Sequence, residues 1–293
     1  MKKTACFLFI LWVAHIQVFS KAYNSKLEKP FRLVYSLSTL QTTDISEARA
    51  LVKILHQHIL NRFKIDRTIE TVICENRVQL EAELKNGYDG AILPIDDFFR
   101  YKKQFKLVPY HTNETAGESG FNFLLAVNKN DTTANIKSLK GSDIIIQNHS
   151  NNSIAFKLLE KILKDKNLPI SQKFFGKIIS KPTTQGAVLS LALGKAKAAL
   201  FTEQSFKVVK ELNPDMEKKL KIIYRSPRIL IGITCTNETR QYDKSTTHLI
   251  ETFSKLHEDV YGKQLLNMFL CDKLVPVKEE DLQNTRNYFG EQL

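Results

Sequence analysis

The chain has 293 residues, of which 43% are hydrophobic and 25% are charged, and its formal net charge is +12. This composition excludes a disordered or low-complexity chain, and the length suits about two domains of ordinary size. The positive charge alone would allow a nucleic-acid partner. However, the lysines are scattered and form no basic patch interleaved with aromatic residues, so we expect a solvated basic surface and no nucleic acid.

The first twenty residues have the pattern of a secretory signal peptide. Lys2 and Lys3 form a positive start, residues 5–18 form an apolar run, and Ser20 ends a small-residue cleavage motif. This run is shorter than the roughly 20 apolar residues of a spanning helix, although an uncleaved anchor remains an alternative. We therefore expect a periplasmic or secreted protein after cleavage of residues 1–20.

Three cysteines follow the predicted signal peptide, namely Cys74, Cys235 and Cys271. An odd number allows at most one disulfide, and the spacing fits neither a zinc site nor a redox motif. Cys74 and Cys235 each end an apolar run typical of a strand, so buried thiols are expected. The sequence gives no reason to expect a metal or another cofactor.

Strands and helices alternate from residue 31 onward. Residues 31–37, 68–74 and 88–93 are rich in strand-forming residues, and the segments 44–63 and 76–85 between them have helical spacing of their apolar positions. This βαβαβ order predicts a parallel sheet with right-handed crossovers.

The same order recurs later in the chain. Residues 143–147, 173–179 and 196–201 are predicted strands, and residues 153–166 and 184–193 are predicted helices. In both series a glycine, Gly87 or Gly194, closes a helix before a strand of small and apolar residues. The pattern therefore predicts two similarly wound lobes.

Two segments between the series are predicted to carry the chain from one lobe to the other. The first is the polar segment 110–122 and the second is 222–228, and each is followed by an apolar strand. The remainder, from Ser245 onward, is predicted to be helical, with residues 281–289 closing the fold. We expect a signal peptide at 1–20, a discontinuous lobe one at 21–116 plus 227–293, and lobe two at 117–226.

Several short sequence segments resemble those of the type II periplasmic substrate-binding proteins of ABC transporters, within their phosphate- and phosphonate-binding, PhnD-like branch. Residues 138–141 (SLKG) precede a short strand, residues 194–199 (GKAKAA) end a helix before a strand, and Ser226-Pro227 stands at the return crossing. Residues 150–153 (SNNS) fall where this branch has an anion-holding Ser-Thr-Ser-Gly loop. The resemblance implies an α/β, two-lobed fold of two doubly wound sheets joined by a two-strand hinge.

The chain also departs from the pattern of this branch. Only Ser150 of the Ser-Thr-Ser-Gly loop is kept, and Lys197 stands where the family has an acid, although Asp89 keeps the acid in lobe one. Asn side chains can donate or accept hydrogen bonds, so anion binding is compatible with the loop. Specificity for phosphonates does not follow from it.

Strand ends in open α/β sheets face the crevice in which ligands bind. This rule gives the following candidate ligand-binding residues: Ser38, Thr39, Leu93, Ile95, Asp96, Ser150, Asn151, Asn152, Ser153, Thr183, Thr184, Thr202 and Glu203. For residues 150–153 the alternative is a simple helix cap, and for Glu203 it is an acid that stabilises the first turn of a helix.

The sequence contains no Gly-x-Ser-x-Gly, HExxH or P-loop motif, and His56 and His58 are spaced to lie on different faces of a helix. Catalysis therefore has no positive support. The resemblance implies a monomeric, exported solute-binding protein, not an enzyme, that closes around a small anionic ligand for delivery to a membrane permease. The alternatives are a periplasmic sensory module that signals to a membrane receptor or kinase, and an enzyme on the same fold.

Overall fold

The computed structural model describes residues 29–40, 44–115, 117–132, 135–147, 154–181, 183–240, 242–269 and 271–290. The predicted signal peptide and the predicted ligand loop at residues 148–153 lie outside this part of the chain.

The described residues form strands and helices in alternation. The strands are β1 (Phe31–Ser36), β2 (Ile69–Cys74), β3 (Gly90–Pro94), β4 (Leu107–Thr115), β5 (Glu118–Ser119), β6 (Phe123–Asn128), β7 (Ile144–Gln147), β8 (Ile178–Lys181), β9 (Ala198–Thr202), β10 (Leu220–Arg225), β11 (Gly232–Asn237) and β12 (Lys273–Pro276). The helices are α1 (Ile45–Phe63), α2 (Arg77–Lys85), α3 (Ile95–Tyr101), α4 (Ile154–Asp165), α5 (Ser171–Phe174), α6 (Thr184–Ala192), α7 (Glu203–Leu212), α8 (Asp215–Lys219), α9 (Lys244–Ser254), α10 (Val260–Met268) and α11 (Glu279–Phe289).

The first sheet has the strand order β12-β4-β11-β3-β1-β2, with β5 paired to β4. Strands β1, β2 and β3 run parallel, as the βαβαβ pattern predicts, and β11 pairs antiparallel with both β3 and β4. Helices α1, α9 and α10 pack on one face of this sheet through apolar side chains such as Val52, Leu249 and Leu265. This sheet and its helices form lobe one.

The second sheet has the order β10-β6-β9-β7-β8. Strands β7, β8 and β9 are parallel, and β6 joins β9 and β10 in antiparallel pairs. Helix α4 covers one face and α6 the other, because Leu158 and Leu159 belong to one apolar core while Val188 and Leu191 belong to another. These elements form lobe two.

The two chain crossings lie side by side. Phe121 and Ile229 exchange backbone hydrogen bonds of 2.8 and 3.0 Å, and the Phe123 amide donates to Ser226 Oγ at 2.8 Å. Gly120 has φ +72°, and a Cβ there would lie 2.4 Å from the Ile229 carbonyl oxygen, so only glycine fits this close approach. The hinge therefore consists of two paired, extended segments.

Helix α11 contacts both lobes. Leu282 packs into the core of lobe one, whereas Phe289 packs into the core of lobe two, and the Tyr288 hydroxyl lies 2.8 Å from that of Tyr224. The Leu230 amide also donates to Thr285 Oγ1 at 3.0 Å. The last helix thus fastens the return segment of the hinge.

Three details differ from the sequence-based expectations. The predicted strand at 173–179 is divided into the short helix α5 and the later strand β8, and β12 interrupts a region predicted to be entirely helical. The polar segment 110–122 also contains the short strand β5, which pairs with β4. Short elements of this kind depend on the strand beside them more than on their own residues.

All three described cysteines are buried free thiols, as expected for Cys74 and Cys235. Burial raises the pKa of Cys74 to about 11 and that of Cys271 to about 12, so both thiols are protonated at neutral pH. Among the described helices, none has the length and apolar character needed to cross a bilayer.

Candidate functional site

Ser38 and Thr39 lie in a short 3-10 turn that directly follows β1. Thr39 Oγ1 donates to the Ser36 carbonyl at 2.7 Å, and the hydroxyls of Ser36 and Ser38 are 2.9 Å apart. Ser38 is exposed and Thr39 is partly exposed. The turn therefore presents hydroxyl groups at the carboxyl end of a central strand.

Leu93 and Ile95 are placed differently from these hydroxyl residues. Both are fully buried, Leu93 pairs with Ile233 across the sheet, and the Ile95 amide donates to the Ile231 carbonyl at 3.0 Å. Their contribution is to hold the end of β3 in place.

Asp96 is buried at the start of α3 within a cluster of four charged side chains. Its Oδ2 lies 2.5 Å from Arg77 Nη2 and 2.8 Å from Lys157 Nζ, while Asp97 Oδ1 lies 2.6 Å from Arg77 Nε. Burial and the neighbouring Asp96 raise the pKa of Asp97, and Arg77 opposes this shift. Because Lys157 belongs to α4, the Asp96 carboxylate forms an ion pair between the lobes.

In lobe two the predicted residues lie at the carboxyl end of β9 and at the start of α6. Thr183 caps α6 by accepting from the Gly186 amide at 3.1 Å, and the Thr202 hydroxyl donates to Ser205 Oγ at 2.9 Å. Both carboxylate oxygens of Glu203 lie 2.6 Å from Arg225 Nη1, so this acid already has a cationic partner.

Gln147 connects these strand ends, and the sequence analysis did not single it out. Its Oε1 accepts from the Thr184 hydroxyl and, at 3.2 Å, from the Thr202 amide. Since an amide nitrogen can only donate, these two bonds fix the orientation of the side chain. Its NH2 group has no hydrogen-bond partner among the described residues. Gln147 is partly exposed.

The predicted ligand residues Ser150, Asn151, Asn152 and Ser153 lie outside the described residues. The elements on either side of them are described, since β7 ends at Gln147 and α4 begins at Ile154. Lys157, in the first turn of α4, forms an ion pair with Asp96 of lobe one.

A cavity of about 150 Å³, hereafter the chamber, lies inside lobe one. Ser38, Thr39 and Pro94 form part of its wall at the strand ends. Its other walls come from both the sheet and the helices packed on it, and most are apolar: Tyr35, Leu55, Ile92, Phe253, Leu256, Leu266, Phe269 and Leu274. The polar residues His111, Thr112, Asn113 and Thr234 also line it.

His111, in β4, is 98% buried by accessible surface, and its Nδ1 has no hydrogen-bond partner among the described residues. Burial lowers the pKa of His111 to about 4, so the ring is neutral at neutral pH. An unpaired buried polar atom costs about 1–3 kcal/mol. His56, by contrast, lies 2.8 Å from the Tyr35 hydroxyl and 2.9 Å from Thr71 Oγ1.

His56 and His58 lie on different sides of α1, as their spacing predicts, because His58 Nε2 is 3.2 Å from Asp259. Within the described part of the chain, no group of three or more His, Cys, Asp or Glu side chains has the geometry of a metal site.

The sequence was compared with protein families. The family described as "ABC transporter, phosphonate, periplasmic substrate-binding protein" matches residues 44–282, which is more than half of the chain. A search of curated protein sequences gives no match.

Solved structures share the fold at low sequence identity. XAC2383 from Xanthomonas citri bound to ATP gives a TM-score of 0.64 at 12% identity, over 89% of this chain and 98% of that chain. PhnD1 from Prochlorococcus marinus in complex with methylphosphonate gives 0.63 at 15%, over 89% and 97%. The periplasmic aliphatic sulphonate binding protein SsuA from Escherichia coli gives 0.54 at 14%, over 89% and 92%. The predicted two-lobed type II fold is therefore confirmed.

Proposed function

Because this chain belongs to the periplasmic, phosphonate-binding family of ABC-transporter substrate-binding proteins and serves solute uptake, we propose that its solute is a phosphonate or a related oxyanion. The matched family consists of substrate-binding proteins and favours neither a sensory module nor an enzyme. We also propose that the protein acts as a monomer in the periplasm after signal-peptide cleavage, and delivers its ligand to a membrane permease.

The side-chain orientation of Gln147 is the main support for an anionic ligand. Its Oε1 is occupied by Thr184 and Thr202, so the NH2 group of this partly exposed residue is a pre-oriented hydrogen-bond donor. A phosphonate offers only acceptor oxygens when fully ionised, and donors held in advance bind such a group without a large ordering cost. The exposed Ser38 hydroxyl supplies a donor from lobe one.

The acids near the strand ends are compatible with this proposal. Asp96 pairs with Arg77 and Lys157, and Glu203 pairs with Arg225. A carboxylate without such a partner would repel an anion. We therefore assign Asp96 and Glu203 a positioning role, and place the direct contacts on Ser38 and Gln147. The hydroxyl hydrogens of Thr39, Thr184 and Thr202 are already donated within the protein.

The proposed mechanism is closure of the two lobes about the paired segments of the hinge. One small anion is proposed to contact Gln147 in lobe two and Ser38 in lobe one, and to complete both contacts only in the closed form. The ligand then binds the closed form better than the open form, and shifts the population toward it.

A thermal-unfolding panel tests the proposed solute class. We expect methylphosphonate or phosphate at 100 times its Kd to stabilise the protein by about 2.7 kcal/mol, whereas arginine gives no shift. A shift with arginine alone, or no shift with any phosphonate, phosphate or sulfonate, would overturn the proposal.

A further inference from the structure

The chamber offers an environment unsuited to the charged group of the proposed ligand. Its volume is about 150 Å³ and its walls are mainly apolar side chains, including Leu55, Phe253 and Leu266. An ionised phosphonate would lose its hydration there without gaining a cationic partner. The charged group therefore belongs at the strand ends, and the chamber is suited to whatever is attached to it.

The helices of lobe one do not cover the whole of Ile92, a wall residue of the chamber. Ile92 lies in β3, which has hydrogen-bonded strands on both sides, yet its side chain is partly exposed. The neighbouring wall residues Phe269 and Leu274 are partly exposed as well. Large apolar side chains at the centre of a fold are ordinarily covered, so these walls have the character of a ligand pocket.

His111 provides a second, independent observation. Its buried Nδ1 has no partner among the described residues, although nearly all buried polar atoms in native proteins have one. His111 lines the chamber, so a rotation of its ring would turn this covered nitrogen toward a polar group of a molecule that enters.

We propose that the ligand is an organophosphonate whose carbon substituent occupies the chamber, is about as large as a six-membered ring, and bonds His111 through a polar group. The size follows from the volume, since a dry apolar cavity of about 150 Å³ holds a benzene-sized molecule. This inference rests on the proposed function and specifies the substrate class of the same site.

Calorimetric titration with three kinds of probe tests the inference. Methylphosphonate has no group to fill the chamber, phenylphosphonate has a ring, and the three hydroxyphenylphosphonate isomers add a hydroxyl. We expect phenylphosphonate to bind at least tenfold tighter than methylphosphonate, and at least one hydroxyl isomer to bind tighter still.

Two variants and one control variant test whether the substituent binds in the chamber. Leu274→Phe enlarges a wall residue of the chamber, and should reduce the preference for phenylphosphonate over methylphosphonate at least fivefold. As the control, Leu212→Phe at an exposed position of α7 should leave that preference unchanged. His111→Phe should remove the gain from the hydroxyl, and this readout remains if Leu274→Phe does not fold.

The outcomes separate the inference from the proposed function. Equal affinity for methylphosphonate and phenylphosphonate overturns the inference and leaves the proposed function intact. Absence of binding by every phosphonate overturns both. A phenyl preference that survives Leu274→Phe, or a hydroxyl gain that survives His111→Phe, shows that the substituent lies outside the chamber.

Discussion

At the level of single residues, we propose that Gln147 determines what the lobe-two side of the site can bind. Its carbonyl oxygen accepts two hydrogen bonds, from Thr184 and Thr202, so its NH2 group is the part left for a ligand. A glutamate at this position would have nearly the same shape as Gln147, but its carboxylate could only accept hydrogen bonds.

The substitution Gln147→Glu tests this role. We expect it to weaken phosphonate or phosphate binding at least tenfold, about 1.4 kcal/mol, because a carboxylate both repels the anion and cannot donate. Titration calorimetry measures the change. Gln172→Glu, at an exposed position of α5 in the same lobe, adds the same charge and should have little effect; equal losses in the two variants would contradict a direct contact.

A second prediction concerns the buried His56. Burial lowers its pKa from 6.5 to about 4, so the folded protein binds this proton less readily than the unfolded chain does. The stability that depends on neutral His56 is complete above pH 6.5 and is lost as the pH falls toward 4. By pH 5 the loss attributable to His56 should reach about 2 kcal/mol.

Urea unfolding at pH 7 and pH 5 measures this loss. The free energy of unfolding of His56→Gln should fall by about 2 kcal/mol less than that of the wild type over this interval. His248→Gln, which changes an exposed histidine, should behave as the wild type does. An unchanged slope for His56→Gln would show that His56 is not held neutral in the fold.

The roles of Gln147 and His111 were not predictable from the sequence, for a physical reason. Gln147 is oriented by bonds from β9 and α6, and His111 is buried by the pairing of β4 with β11 and β12. Both depend on contacts that are distant in the sequence. Hydroxyl residues at strand ends, such as Ser38 and Thr202, were predictable because the strand pattern itself locates the ends.

At the level of elements, α11 and α4 connect the two lobes. Phe289 of α11 packs in the core of lobe two although the helix follows lobe one in sequence, and Lys157 of α4 pairs with Asp96 of α3. The helical pattern of α11 was visible in the sequence. Its position between the lobes was not, since apolar spacing identifies a buried face but not the surface that buries it.

Phe289→Ala tests the contribution of α11. The ring is 99% buried, so its removal should lower the free energy of unfolding by about 3–5 kcal/mol through lost burial and the remaining cavity. Tyr288→Phe, which removes only the hydroxyl bonded to Tyr224, should cost about 1 kcal/mol. Chemical denaturation gives both values; a cost below 1 kcal/mol for Phe289→Ala would contradict its placement in the core.

Lys157→Met tests the ion pair between the lobes. Asp96 is almost fully buried and would retain only Arg77, so the variant should lose roughly 3 kcal/mol of stability. Lys161→Met removes a lysine of the same helix whose partner, Asp165, is exposed, and should cost less than 1 kcal/mol. Similar losses in both variants would show that Asp96 does not depend on Lys157.

At the level of the whole molecule, the fold was the most predictable property. Two series of alternating strands and helices, separated by two polar crossings, predict two sheets of parallel strands and a double connection. In the structure each sheet has a set of three parallel strands, extended by antiparallel strands that the pattern did not predict. The edge strand β12 and the division of residues 171–181 escaped prediction. Both are short, and their conformation is set by the neighbouring chain.

In the proposed mechanism, the two lobes of this protein close around one phosphonate-like anion. Small-angle X-ray scattering of the protein, with and without saturating methylphosphonate, measures closure directly, and calorimetry on the same sample confirms binding. We predict a smaller radius of gyration with the ligand, because contacts from Ser38 and Gln147 to one small molecule require the lobes to approach. Bound ligand with an unchanged scattering curve, or no binding of any phosphonate, would contradict the account.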